Sequence, residues 1–323
     1  MKILFEHPEK VPVKDYGGTE RILIWLMKEL TLLGHSVYLI GHPESDVSNI
    51  GVTLIPKPRA IEDFRPFIPK EIDIVHLFTN PKYEIDKPVI ATLHGNGQIG
   101  EKFHKNTVFL SKNHAANHNS DVFVYNGIDL EEYPFNKEKT LGWDNFLFLA
   151  KASWKVKNLN DCIKACKSLK KHLHVAGGKR INFSPYIHYY GLVNQQEKLK
   201  LLEKCDCLLW PVRWNEPFGI AVIEAMAMGL PVISSNYGSL PELIKPEVGI
   251  LCNNFFEFKE AIHKNSKRFD PKSLRRYVQE NFTSKIMAEN YLKLYEKVLK
   301  NIWLNPEIPR YLSKKNPQKL LEF

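Results

Sequence analysis

Short apolar runs alternate with longer helical patterns along almost the whole chain, and few architectures accept that rhythm. In the first half the runs stand at residues 2–5, 37–40, 74–77, 89–93, 107–110 and 121–124. A clear helix separates the first two. It covers residues 20–33, is strongly apolar, and stops at Gly34, a common residue past a helix end. Strands and helices in alternation predict an α/β fold with parallel sheets.

From 131 to 145 the rhythm breaks: Pro134, Gly142 and mixed charges read as a linker. A second series follows, with strands at 146–150, 172–176, 187–190, 207–210 and 231–234 and helices at 159–169, 197–204 and 219–228. The chain then ends in a helix, 284–303, and a polar tail containing Pro306, Pro309 and Pro317. A length of 323 residues suits two domains. The expected division is 1–140, 141–303 and a tail at 304–323. Two such domains in tandem direct the carboxyl ends of both sheets toward a shared cleft, and open parallel sheets bind ligands at those ends.

Composition narrows the class. With 44% hydrophobic and 25% charged residues the chain is globular, which excludes long disorder. No apolar run approaches the ~20 residues that span a bilayer. The start reads as a strand and not a signal peptide, since Glu6 and His7 follow Phe5 at once. Five cysteines, an odd number without C-x-x-C spacing, read as reduced thiols of a cytoplasmic protein. Residues 1–142 carry a net charge of −3 and residues 143–323 carry +12. Basic runs interleaved with aromatics are absent, so nucleic acid is not an expected partner. The acidic first half argues against strong docking on an anionic membrane, leaving at most transient contact.

The most informative segment runs from Glu216 through Pro217, Phe218, Gly219 and Ile220 to Glu224, and on to Met228. Pro217 and Gly219 fit a tight turn into a helix whose first N–H groups stay free, a site for a diphosphate at the positive end of the helix dipole. Glu224 lies in a helix apolar nearly all round, where a carboxylate must be paired or face a ligand. It would reach ribose hydroxyls, and Glu216 the sugar beyond the phosphates. Lys151, Lys155 and Lys157 cluster in the loop after strand 146–150. Such a loop can neutralise a leaving diphosphate without metal, though simple solvation also explains it. Gly17 and Gly18, between the first strand and the first helix, allow close backbone approach to a ligand or form a plain turn. His94 closes an apolar strand. His114 and His118, four apart, lack a third ligand for a metal site.

Together these residues resemble the retaining glycosyltransferases of family 4, which have the GT-B fold of two Rossmann-like domains facing across a cleft. The resemblance runs from Gly17-Gly18-Thr19-Glu20 to the terminal helix and rests mainly on the two glutamates eight apart. Val175–Gly178, Tyr190–Val193, Cys205-Asp206 and Gly238–Glu242 follow in the family's order. It implies a nucleoside diphosphate sugar donor, a carbohydrate or glycolipid acceptor, no cofactor and no metal, in polysaccharide or glycolipid biosynthesis. Lys151 and Lys157 would hold the diphosphate and Glu216 the donor sugar. Phe218, Gly219 and Ile220 would offer backbone to sugar and phosphates, and Glu224 would bind the ribose. Val193 would lie near the base, Gly18 near the diphosphate and His94 near the transferred sugar. The tail at 304–323 would cross back onto the first domain. Lys151 stands where the family has arginine, replacing a fork of donors by a point charge. A donor-binding subunit without turnover and a sugar-nucleotide epimerase are the rival readings.

Overall fold

The computed structural model describes residues 1–13, 17–263, 269–312 and 319–323. It contains two six-stranded sheets. The first comprises β1 (Lys2–His7), β2 (Ser36–Gly41), β3 (Thr53–Pro56), β4 (Ile74–Leu77), β5 (Val89–Thr92) and β6 (Thr107–Val108). The second comprises β7 (Asn145–Leu149), β8 (His172–Ala176), β9 (Ile187–Gly191), β10 (Cys207–Trp210), β11 (Val232–Ser235) and β12 (Gly249–Cys252). Their orders are β3-β2-β1-β4-β5-β6 and β12-β11-β10-β7-β8-β9, and all pairs are parallel. Both are the Rossmann order, 3-2-1-4-5-6 when each sheet's strands are counted from its own first strand. Each reverses direction once, between β1 and β4 and between β7 and β10, and ligands bind at the strand ends beside such a reversal.

The strands form because they are apolar on both faces: β4, β5, β10 and β11 are buried at every position. Leu4, Ile40, Val75, Leu77 and Val89 make one core layer with Phe64 and Ile72 from the loops. In the second sheet the helix α5 (Ile220–Ala227) buries nearly its whole surface, as its run of Ala, Val, Ile and Met requires.

The chain divides into two compact units, and their boundaries differ from the expected ones. The first unit joins Met1–Val13 and Gly17–Ile128 to Ser284–Lys314; the second is built mainly from Asp129–Thr283. The expected linker belongs to the second unit for a physical reason. Tyr133 is fully buried there, and the Asp206 carboxylate accepts hydrogen bonds from the N–H groups of Gly142, Asp144 and Asn145. The terminal helix α9 (Ser284–Leu299) goes with the first unit and not the second. It runs against α1 (Gly18–Leu32), where Ser284 donates to Glu29. Its Tyr295 and Tyr291 hydroxyls bond His76 (2.7 Å) and Thr92 (2.9 Å) beneath the first sheet. Residues 304–312 continue on the first unit, with Asn305 on Lys105 and Thr107 and Arg310 N–H on His118. The last residues do not: Leu321 bonds Arg213 and the Phe323 ring packs on Phe258, both in the second unit.

Other elements also differ. Residues 121–124 form no strand, only a bridge between Phe109 and Phe123, while Thr53–Pro56 forms an unforeseen edge strand beside β2, at the opposite end of the sheet. With residues 284–314 included, the first unit holds 19 Lys/Arg against 17 Asp/Glu, so its net acidity disappears. Among the described residues no helix is long and apolar enough to cross a membrane.

Candidate functional site

Two loops leave the carboxyl ends of β7 and β10, at the reversal of the second sheet, and they carry the three lysines and Glu216 singled out in the sequence, with Glu224 in the helix that follows. After β7 the chain turns over Gly177, which follows β8. A Cβ there would stand 2.0 Å from the Ala150 carbonyl oxygen, so only glycine lets the two strand ends meet. Ala152 N–H then donates to the Gly177 carbonyl (2.8 Å), fixing the start of the lysine loop. After β10 the chain runs through Glu216 to Gly219, the N-cap of α5. Gly238 braces this loop from behind: a Cβ on it would meet Glu216 N at 2.2 Å, and its φ is +62°. Beside it, Ser239 N–H donates to Glu216 O and the Ser239 hydroxyl to Phe218 O.

Within this frame Lys157 and Glu216 form a buried ion pair, Nζ to Oε2 at 2.6 Å. Trp214 Nε1 donates to the same oxygen at 3.0 Å. The ammonium stands 4.6 Å from the Trp210 ring centre and 4.9 Å from that of Trp214, so indole faces replace part of its water. Eight residues on, Glu224 has the same arrangement. Its Oε1 accepts from Lys198 Nζ and from the Tyr133 hydroxyl, both at 2.5 Å, and all three side chains are buried. In each glutamate the protein's bonds fall on one oxygen. The other, Oε1 of Glu216 and Oε2 of Glu224, has no hydrogen-bond donor among the described residues. Two carboxylates are thus locked in position with an acceptor to spare.

Phe218 is buried beneath the loop, and Ile220 opens α5, ahead of any carbonyl its N–H could reach within the helix. Lys151 is exposed at the loop's start. Val193 is half-buried in the turn between β9 and α4 (Gln195–Lys204), just before the Asn194–Glu197 capping box. Lys157, Glu216 and the start of α5 therefore come together, with Glu224 further along that helix.

The remaining sequence candidates lie in the first unit. His94 follows β5, its ring 4.4 Å from that of Phe78, and its Nε2 is buried without a hydrogen-bond partner. Burial, helped by nearby His7, pushes its pKa down to about 3, so the imidazole is neutral at physiological pH. Gly17 and Gly18 open α1, with Gly17 against Val13 and Glu20; Tyr16 of the same motif lies outside the described residues. His114 and His118 are structural. His114 Nδ1 accepts from Leu110 N–H, and His118 Nε2 accepts from Gly97 N–H. No group of three or more His, Cys, Asp or Glu among the described residues is placed to hold a metal ion.

Sequence reasoning named Lys157 for the site but not as the partner of Glu216, and it missed both partners of Glu224. Lys198 and Tyr133 lie 26 and 91 positions from Glu224, and no local pattern joins them. A signal existed for Lys198 alone: it follows a capping box at a position facing Leu201 and Leu202, where lysine is out of place unless paired.

Two sheets of Rossmann order in one chain, the second with a charged, glycine-braced site at its reversal, define the GT-B type of glycosyltransferase fold, and the chain has that fold. It is similar to AviGT4, a glycosyltransferase involved in avilamycin A biosynthesis, with a TM-score of 0.76 and 21% identity over 93% of this chain and 98% of the other. It is also similar to Anabaena Alr3699/HepE in complex with UDP-glucose, with a TM-score of 0.66 and 15% identity over 93% and 99%.

Residues 129–283 match the family of glycosyl transferases group 1, the same bounds as the main segment of the second unit. One curated relative is the N,N'-diacetylbacillosaminyl-diphospho-undecaprenol alpha-1,3-N-acetylgalactosaminyltransferase of Campylobacter jejuni, 26% identical over 206 residues, which are 54% of each chain. The chain spans about half the length of that relative and about a third of others it matches.

Proposed function

We propose that this protein transfers a glycosyl unit from a nucleoside diphosphate sugar to an acceptor hydroxyl, and that the loops after β7 and β10 with the start of α5 form its donor site. The observation that carries this reading is the pair of half-satisfied glutamates. A buried carboxylate held by a lysine on one oxygen and left open on the other is arranged to receive hydroxyl groups. The group 1 match covers this unit, and the similar HepE structure is described with UDP-glucose bound.

In this reading Glu224 accepts from the ribose hydroxyls through Oε2 and Glu216 from the donor sugar through Oε1. Phe218, Gly219 and Ile220 present backbone to the sugar and phosphates, the first turn of α5 faces the diphosphate, and Val193 lies by the base. Lys157 neutralises Glu216 and so lets an anionic donor approach. Lys151, exposed and without a carboxylate partner among the described residues, supplies the positive charge for the departing diphosphate. In the first unit, Gly17 and Gly18 suit backbone contact with phosphate. His94, neutral and with a free ring nitrogen, suits a hydrogen bond to a sugar hydroxyl and not an ion pair.

Transfer proceeds with retention, as in family 4. The bond from the anomeric carbon to the diphosphate oxygen breaks while the acceptor oxygen bonds to the same face. The departing diphosphate takes the acceptor's proton. Charge building on that leaving group is met by Lys151 and the helix start, so no metal is required. The products belong to cytoplasmic polysaccharide or glycolipid biosynthesis.

A thermal-shift panel of UDP-, GDP-, ADP- and dTDP-sugars tests the donor class. A true donor at ~100 times its Kd adds roughly 2.7 kcal/mol and raises the melting temperature by a few degrees. The same donor should then be hydrolysed or transferred in the presence of EDTA. A panel with no shift overturns the donor site, and turnover abolished by EDTA and restored by Mn²⁺ overturns the metal-free step.

A further inference from the structure

The connection from β4 to β5 has no helix, although the alternation elsewhere leads one to expect it. It is nonetheless fastened at several points. Asn80 donates to Lys102 O (3.1 Å) and accepts from His104 N–H (3.0 Å). Arg65 donates to Glu84 O and sets its guanidinium 4.7 Å from the Tyr83 ring centre. Lys87 Nζ donates to Lys70 O at 2.6 Å. An irregular segment held this firmly is more than a connector; binding surfaces are made from such loops on a rigid frame.

Between this segment and the residues after α9 lies an open cavity of about 910 Å³. It sits where β5 and β6 begin, whereas His94 follows the other end of β5. Trp303 lines it while remaining 56% exposed. The indole is not loose: the His104 ring stands edge-on at 5.9 Å and Lys105 Nζ lies over the ring at 5.8 Å. Its Nε1–H has no hydrogen-bond partner among the described residues. A large ring fixed in place, wet, and carrying an unused donor is half of a contact.

The charges decide what the other half is. Lys82 and Lys87 in the lining are matched by Glu84 and Asp86. Burial lowers the pKa of His104, so that ring adds no charge near neutral pH. Apart from Lys105 over the indole the lining has no net charge, and a single part-buried ammonium offers little to a phosphate or to an anionic lipid surface. The lining suits a neutral polyhydroxyl ligand, whose C–H faces lie on an aromatic ring while its hydroxyls meet amides and carboxylates. The volume, near the top of the ~300–1,000 Å³ range for small-ligand sites, has room for more than one sugar ring. We propose that this cavity is a saccharide-binding site separate from the donor site, which holds a neutral oligosaccharide against Trp303.

The full chain labelled with 5-fluorotryptophan gives one fluorine resonance for each of its six tryptophans, and Trp303→Phe assigns the one in question. Maltoheptaose, chitohexaose and mannohexaose are the probes. At least one should move the Trp303 resonance saturably at about millimolar concentration, the range of weak single-site binding. The Trp154 and Trp214 resonances should stay in place. In calorimetry Trp303→Ala should weaken that saccharide about tenfold, the scale of one lost aromatic contact. Trp303→Phe, which keeps a ring, should weaken it less, and nucleotide-sugar affinity should not change in either variant. The proposal is overturned if no probe moves the resonance, or if the alanine variant binds as well as the parent. It is also overturned if phosphatidylserine vesicles move the resonance and the saccharides do not. Binding is read without turnover, so the result stands apart from that of the donor panel.

Discussion

Replacing Lys198 by methionine separates the structural role of Glu224 from its proposed role in binding. Methionine keeps the apolar stem but removes the ammonium, leaving the Tyr133 hydroxyl as the carboxylate's sole remaining partner among the described residues. Both charged groups are buried, Lys198 at 6% and Glu224 at 4% exposure. Removing one member of such a pair costs about 3–5 kcal/mol, against a total stability of about 5–15 kcal/mol for a typical domain. With a urea slope of about 2–3 kcal/mol/M, the midpoint should fall by about 1–2.5 M. The double variant Lys198→Met/Glu224→Leu should recover most of that loss, because a buried ion pair exchanged for apolar side chains is close to neutral in stability. It should not recover the donor. Loss of a charged acceptor to the ribose is worth about 1.5–3 kcal/mol, so the donor Kd should rise by about ten- to a hundredfold. A cost below about 1 kcal/mol for the single variant would show that the pair is not sealed from water. An unchanged donor Kd in the refolded double variant would remove Glu224 from the ribose site.

Acid should destabilise the first unit before the second. His76, His94, His114 and His118 all have pKa values lowered chiefly by burial, to about 3 for His94 and about 4 for His118, against a single fully comparable case, His174 at about 4, in the second unit. The unfolded chain takes up these protons near pH 6.5 and the folded one does not, so stability is constant above that value and falls below it. The loss is about 1.4 kcal/mol per histidine by pH 5.5, and equal urea midpoints at pH 7.5 and 5.5 would contradict it. Gly238→Ala should cut turnover sharply, since the new methyl would stand 2.2 Å from Glu216 N in a left-handed conformation. Gly142→Ala, with nothing nearer than 3.7 Å, is the control, and equal activity of the two variants would mean that the Glu216 loop tolerates displacement.

What the sequence disclosed follows from what is local. The helix from Ile220 was legible because glutamate in an apolar helix is an anomaly that shows without a structure, and the lysine loop because it follows a strand. The pairing was not, because the anomalies at Lys198 in α4 and Glu224 in α5 each show that a partner is needed without saying which one, and Tyr133 carries no such sign. Residues 131–145 read as a linker since Pro134 and Gly142 interrupt the pattern, yet Tyr133 among them is one of the largest buried side chains. Proximity in sequence misplaced α9: its tyrosines reach Thr92 and His76, about 200 residues away, and hydroxyl pairing of that kind has no periodicity to read. The β4–β5 connection was equally opaque, because its order comes from Arg65, Lys70 and Lys102, each outside the segment it steadies.

The return of α9 to the first unit has a consequence for synthesis on the ribosome. Translation delivers residues 1–128 first, but the layer that covers β4 and β5 arrives only after the 155 residues from 129 to 283 have been made. At ~5–20 residues per second that is an interval of roughly 10–30 s. During it the His76 ring and the Thr92 hydroxyl lack their tyrosine partners, and the apolar face that receives Tyr291 and Tyr295 stays open to water. The second unit, whose main segment is continuous, can complete its sheet meanwhile. The amino-terminal half of this chain is therefore made first and finished last, and during that interval it is the part that a chaperone would have to shield.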